Sequence, residues 1–513
     1  QYSKDEFDSD IHDIAMAEEN DGSFMWEIPI DLTDEARIRV RSTDTPGIFD
    51  ISDGAFSIVE VGWAISLPTA ELSENMVDSV ATDSEGNIYV AGYAYPDEAG
   101  TLFIRMYNRY GQLMWTRNMG DPACTGMIPD CMAVYDSNVI ITGMFRGSID
   151  FYPEGAGGEH STGDAYESFI LLLTATGEYV DSVSWAAIDL EGMTLDSLGN
   201  IYVCGYFLNT VDFDPDPDDE YEMTCYGAAD AWLSCFTPSL DHVSSCHWGG
   251  SGLVVAFDVV YDSSGDELLI CGGFEGVNAD FDPGTGTAYH SAVAYVDSYL
   301  LILQTDNTYV DSVAWGGTSD DVATSVEISS SGYIYVGGIF AGTVDFDWHP
   351  VVQDRRTAVG ESDCYYLICQ PNLSYYGVAV VSSNGEDRTL CTTMGDDDQL
   401  YCLGLFDGDE IDLDPWVGDD IRQLQGTRDL YLIAMGPLGL YSWGHTIEDG
   451  SIFQPCSAIA TFDSDFIVVG AGIPGADIEL APVEPPCMED SDTHGEHGMQ
   501  IGYILKYMGN GCW

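Results

Sequence analysis

The chain has 513 residues, 45% of them apolar, so a large core can be buried. Its charge is far from ordinary, with 14 basic against 87 acidic residues and a net charge of -73. Nucleic acid and anionic membrane are excluded as partners, because a polyanion is held by basic clusters that displace its counterions. Cations or cationic surfaces are the natural partners, and self-repulsion of this size calls for salt or divalent ions.

Residues 1–22 are charge-rich with little apolar pattern and read as an acidic N-terminal tail. Residues 23–53 include WEIPIDLTDEARIRV and read as an extension or a degenerate blade. The segment AFSIVEVGWAIS at 55–66 is a partial copy of a repeated unit, or a strand that completes the last unit of a ring. Beyond it a strand motif returns: IYVAG at 88, VIITG at 139, IYVCG at 201, LLICG at 268, IYVGG at 334, LYCLG at 400 and FIVVG at 466. From 201 onward the intervals are 67, 66, 66 and 66 residues. So steady a period means one structural unit per repeat.

Each unit reads as four short strands. A first strand turns through a tetrad such as DSEGN or DSLGN into the IYVGG strand, which is a hairpin signal. A long loop leads to an aromatic-rich third strand, such as AWLSCF at 231 or YYLIC at 365. A tight turn then leads to a fourth strand expected to end at Trp115, Trp185, Trp248, Trp315 or Trp443. The fold expected is an all-β propeller of four-stranded antiparallel blades over residues 54–513, seven blades by count with eight as the alternative.

The stretch WGGTSDDVATSVEISSSGYIYVGGIFAGTVDF, from Trp315, resembles the β-propeller repeat (SBBP repeat) family. That family's pattern runs W, GG, D, then D-x-x-G-N-x-Y-V-x-G and D-F. The resemblance implies a propeller module of secreted and cell-surface proteins. It brings no catalytic residues with it.

The long loops fall on one face of a propeller and carry TVDFDPDPDDE at 210, ADFDPG at 279, TVDFDWHP at 343 and EIDLDPWVGDD at 410. Extended geometry sends the acids of D-F-D to one side and the aromatic to the other. The candidate calcium ligands of this acidic crown are therefore Asp212, Asp214, Asp216, Asp218, Asp280, Asp282, Asp345, Asp347, Asp412 and Asp414. Paired carboxylates are hard oxygen donors of the kind calcium takes. The bland alternative is that these are Asp-rich turns. Trp348 and Trp416 at the loop tips are candidates for stacking on sugars. His494 and His497, near Cys487 and Asp490, form a loose metal pattern better read as solvated loop residues.

Fourteen cysteines without CxxC knuckles suggest disulfides, with Cys124–Cys131, Cys235–Cys246 and Cys391–Cys402 as local candidates, and hence a location outside the cell. A start at Gln1 fits a cleaved signal peptide. The expected inner strands, such as FDVVYD and TLCTTM, offer no His or Lys for catalysis. The chain is therefore read as non-enzymatic: a structural subunit of an extracellular sheath, filament or surface assembly, joined to itself or to other surface proteins through calcium, and without membrane insertion. A calcium-dependent carbohydrate-binding or adhesive propeller is the first alternative, and a polysaccharide-active enzyme the second.

Overall fold

The computed structural model describes residues 74–449 except 96–100, 122, 164, 187–188, 417 and 425–426. It also describes the separate strands Tyr2–Ser3, Thr33–Arg41, Phe49–Ile51, Phe56–Ile58, Trp63–Ser66, Ser457–Phe462, Phe466–Pro474, Ile478–Glu479, Thr493–His494 and Gln500–Met508. The chain divides into two units, 1–62 and 63–513. In the first, Thr33–Arg41 pairs antiparallel with Tyr2–Ser3, Phe49–Ile51 and Phe56–Ile58. The second is an all-β propeller.

The number of blades differs from the expected seven, or eight. Six sheets are four-stranded antiparallel blades, with inner strands Glu74–Thr82, Gly126–Tyr135, Asp189–Leu195, Val254–Asp262, Asp387–Met394 and Ser457–Phe462. The strands that begin at Asp321–Ile328 belong instead to a six-stranded sheet. In the two preceding units the fourth strand meets the next crown loop through a single bridge, Gly249 with Asp280 and Gly316 with Asp345. Where the Gly-Gly pair is replaced by Ser382 and Ser383, the strand runs on to Ser383. It pairs with Asp412 and Ile411, which joins the crown hairpin to the sheet.

Inner strands pack side by side around the axis, and Ser457–Phe462 returns to Glu74–Thr82, where Thr82 Oγ1 donates to the Thr461 carbonyl (2.7 Å). Trp63–Ser66 supplies the outermost strand of the last sheet by pairing with Gln500–Met508. The tetrad turns form as their residues demand. Asp83 Oδ1 accepts the N–H groups of Glu85 and Asn87, its Oδ2 accepts Asn87 Nδ2, and Gly86 takes φ of +80°.

The core lies between sheets, not within one. Trp232 packs towards Trp185 and Phe213, whereas its neighbour Leu233 packs towards the next unit with Leu268 and Tyr299. Third strands buried on both faces therefore read as unbroken apolar runs, as in Asp230–Phe236 and Asp363–Cys369. Trp185, Trp248 and Trp315 end their fourth strands as expected. Trp115 and Trp443 lie inside theirs. Trp115 Nε1 donates to the Ala175 carbonyl of the next unit's turn (2.9 Å).

Among the described residues the expected disulfides are absent. All eleven cysteines among the described residues are free thiols. Register explains the failure of the local pairs. Cys246 stands opposite Leu233 and Cys235 opposite Ser244, so the two cysteines are diagonal neighbours, about 7–8 Å apart between Cα atoms, beyond disulfide reach. Cys391 faces Leu403 while Cys402 faces Thr392, one step along, so their side chains leave opposite faces. Cys124 Sγ donates to the Gly126 carbonyl and Cys131 Sγ to the Glu191 carbonyl, both at 3.3 Å.

Candidate functional site

Each crown loop is a short hairpin between the second and third strands, such as Thr210–Asp212 with Glu222–Thr224 and Thr343–Asp345 with Arg355–Thr357. The residue between the acids is its anchor. Phe213, Phe281, Phe346 and Leu413 are fully buried, as is Phe151 of an earlier unit.

The flanking carboxylates are engaged with their own loops. Asp212 Oδ1 accepts the N–H of Asp214 (3.2 Å) and of Tyr221 (2.7 Å). Asp280 Oδ1 accepts Asp282 and Ala288, Asp412 Oδ1 accepts Asp414 and Asp420, and Asp345 Oδ1 accepts Asp354. The second acid opens the next turn. Asp214 accepts the N–H of Asp216, Asp282 that of Gly284, Asp347 that of His349 and Asp414 that of Trp416. In the longest loop Asp216 repeats the step with Asp218, which is itself exposed. Such Asx turns let a polar side chain replace the missing ladder partner of a bent backbone.

Two of these pairs also face a nitrogen-bearing side chain, an arginine in one case and a histidine in the other. Arg355 Nε lies 3.5 Å from Asp345 Oδ2, and His242 Nδ1 lies 3.4 Å from Asp214 Oδ2. Burial lowers the His242 pKa, with Asp214 opposing the shift. Among the described residues no three His, Cys, Asp or Glu side chains converge as metal ligands. His497, Cys487 and Asp490 lie outside the described residues, and His494 is described only as backbone in a strand.

The two crown tryptophans differ. Trp348 packs onto the core between Trp315 (5.8 Å between ring centroids) and Tyr375 (5.9 Å). Trp416 is 43% exposed and anchored by its Nε1 to the Gly439 carbonyl (2.6 Å). Beside the crown, Tyr221, Tyr309, Asp282, Asp306 and Asn307 line an open groove of about 510 Å³.

Sequence reasoning missed a second set of acids. Every inner strand from Glu74 to Met394 has a register break at one place, which sets Asp78, Asp130, Glu191, Phe257, Thr324 and Leu390 out of the ladder. Three consecutive units thus present a carboxylate there. Burial raises Asp130 well above the ordinary carboxylate range, helped by Glu191 and Asp78. Burial likewise brings Glu191 to about 8 and Asp258 to about 6, and raises Glu327 strongly. Of these, Glu191 thus holds its proton near neutrality. No alternation or turn signal marks a bulge of this kind in the sequence.

No family model matches the chain, and no curated protein matches it. Among solved structures, it is similar to a protein of unknown function from Dyadobacter fermentans, at 8% identity and a TM-score of 0.38 over 87% of this chain and 98% of that one. A second similarity, again at 8% identity and 0.38, is to the polysaccharide lyase Uly1, over 85% of this chain and 90% of that one.

Proposed function

We infer that the chain is a non-enzymatic structural protein of an extracellular assembly, of the secreted kind its repeat resembles, with a crown face that binds and is bridged by calcium. The observation behind this reading is the run of turns from Asp212 to Asp218. There three successive carboxylates each commit one oxygen to the loop backbone, so that neighbouring acids are held at fixed spacing. Preset carboxylates and loop carbonyls are what a hard divalent cation takes. The location rests on the acidity and on the repeat's resemblance, since the cysteines among the described residues are free thiols and lend it no support.

The test is thermal unfolding and particle size, measured together at matched ionic strength with calcium and then with chelator. Calcium should raise the midpoint and enlarge the particles, and Asp212→Asn with Asp214→Asn should weaken both effects. Identical curves with calcium and chelator would remove the calcium bridge.

A carbohydrate-binding role is the second reading, supported by the groove between Tyr221 and Tyr309. Aromatic faces beside carboxylate and amide groups suit a sugar ring. Calorimetry with a panel of soluble oligosaccharides distinguishes it, because Tyr221→Ala should abolish any heat of binding.

A further inference from the structure

Three consecutive units share a device that lies apart from the D-F-D hairpins. Their third strands begin with Asp230, Asp297 and Asp363, which are 0%, 3% and 0% exposed. In each, Oδ2 accepts the backbone N–H of the residue four positions earlier, Tyr226, Val293 or Val359, at 2.9 Å. The loop held in this way turns an apolar side chain into solvent: Tyr226 is 66%, Val293 63% and Val359 68% exposed. Gly249 and Gly316 lie against Oδ1 of Asp230 and Asp297, where a Cβ would overlap the carboxylate.

These loops are tied in series by hydrogen bonds. The N–H of Ala228 donates to Gly252, that of Glu275 to Leu253 and that of Ala292 to Gly276, which leads from the Tyr226 loop to the Val293 loop. The N–H of Asp321 then donates to Val296, that of Ala341 to Asp321 Oδ1 and that of Ala358 to Gly342, which leads on to the Val359 loop. Val277 and Tyr295, 63% and 64% exposed, belong to the same belt. Single exposed apolar residues need no explanation, but the same position in three adjacent units on a locked backbone marks an interaction surface.

Charge identifies the occupant. No Lys or Arg occurs between Arg146 and Arg355, and Glu275, Asp320 and Glu361 are exposed within the belt. With no cation to bridge the two surfaces, a second copy of a chain with net charge -73 is repelled from this belt. Tyr226, its ring stacked on His247 at 4.6 Å between centroids, offers an aromatic face to a cation. We propose that the belt from Tyr226 through Val293 to Val359 docks a basic protein segment in which aliphatic or aromatic side chains alternate with Lys or Arg. The apolar side chains meet the three tips and the cations meet the acids between them.

The test is calorimetry on the full chain at about 0.15 M salt, where surface attraction is largely screened. The probes are a synthetic peptide alternating lysine with leucine and a control alternating lysine with serine. The leucine peptide should bind at least about tenfold more tightly than the control. The triple variant Tyr226→Ser, Val293→Ser, Val359→Ser should lose that preference while keeping its unfolding midpoint. A second variant, Glu275→Gln with Glu361→Gln, should weaken both peptides together. Equal binding of the two peptides, or an unchanged preference in the triple variant, would overturn the proposal in favour of unspecific attraction. Chelator in every cell makes the result independent of the calcium crown.

Discussion

Replacing Asp297 by Asn should stabilise the protein at neutral pH. Asp297 is 3% exposed, and burial raises its pKa from 3.8 to about 6, against the Val293 N–H that lowers it. Among the described residues its Oδ1 has no hydrogen-bond partner. Nearby Asp321, also fully buried, is raised to about 7, chiefly by burial and in part by Asp297 itself. A carboxyl whose folded pKa lies above its unfolded one favours folding fully only below the unfolded value, near 4. That contribution is lost as pH rises through about 6. At about 1.4 kcal/mol for each pKa unit, the cost of ionising Asp297 in place comes to about 3 kcal/mol at pH 7. Asparagine keeps an oxygen for the Val293 N–H and removes the charge. Urea unfolding of Asp297→Asn against wild type, at pH 7.5 and at pH 4.5, should show the variant more stable by about 1–3 kcal/mol at the higher pH and nearly equal at the lower. A variant less stable than wild type at pH 7.5 would refute this account, since it would mean that the carboxylate charge has a favourable partner in the fold.

Three further outcomes are expected. Gly316→Ala should destabilise by about 1–3 kcal/mol in the same assay, because the new methyl overlaps the Asp297 carboxylate. His290 has its pKa lowered by burial and bonds to Ser312 Oγ (2.8 Å), so its contribution is whole above pH 6.5 and is lost as pH falls below it. His290→Gln should match wild type at pH 8 and exceed it at pH 5 in thermal unfolding. Alkylation in denaturant without reductant should label every cysteine from Cys124 to Cys402 by mass spectrometry, whereas intact pairs at Cys235–Cys246 or Cys391–Cys402 would escape.

The strands were legible because the repeat sets three local signals in phase: the Asp-Gly-Asn turn, the unbroken apolar third strand and the aromatic anchor between acids. Phe213 and Asp83 show why, since each acts within its own hairpin, where spacing along the chain is spacing in space. What remained hidden depends on neighbours distant in sequence. The pairing of Ser382 and Ser383 with the next crown hairpin involves the following unit. Diagonal placement of Cys235 and Cys246 depends on a register shift at Cys235–Phe236 that nothing in the pattern marks. The inner carboxylates Asp130 and Glu191 acquire their raised pKa values only when adjacent units face each other around the axis. For the crown acids, residue type allowed both metal ligands and turn formers, and the structure assigns them the second role at least.

The strand Trp63–Ser66, zipped onto Gln500–Met508, couples the two ends of the propeller unit in time as well as in space. A ribosome delivers the outer edge of the final sheet hundreds of residues before the strands it must join. Until then that short segment has to wait, shielded or loosely held, while intermediate blades accumulate behind it. Completion is thus a late, single event, and a chain stalled before residue 500 leaves an open arc with two raw edges. Cutting the chain between such a clasp and the first blade, and joining the strand to the far end, should convert that delayed event into an ordinary local hairpin and hasten the last step of folding.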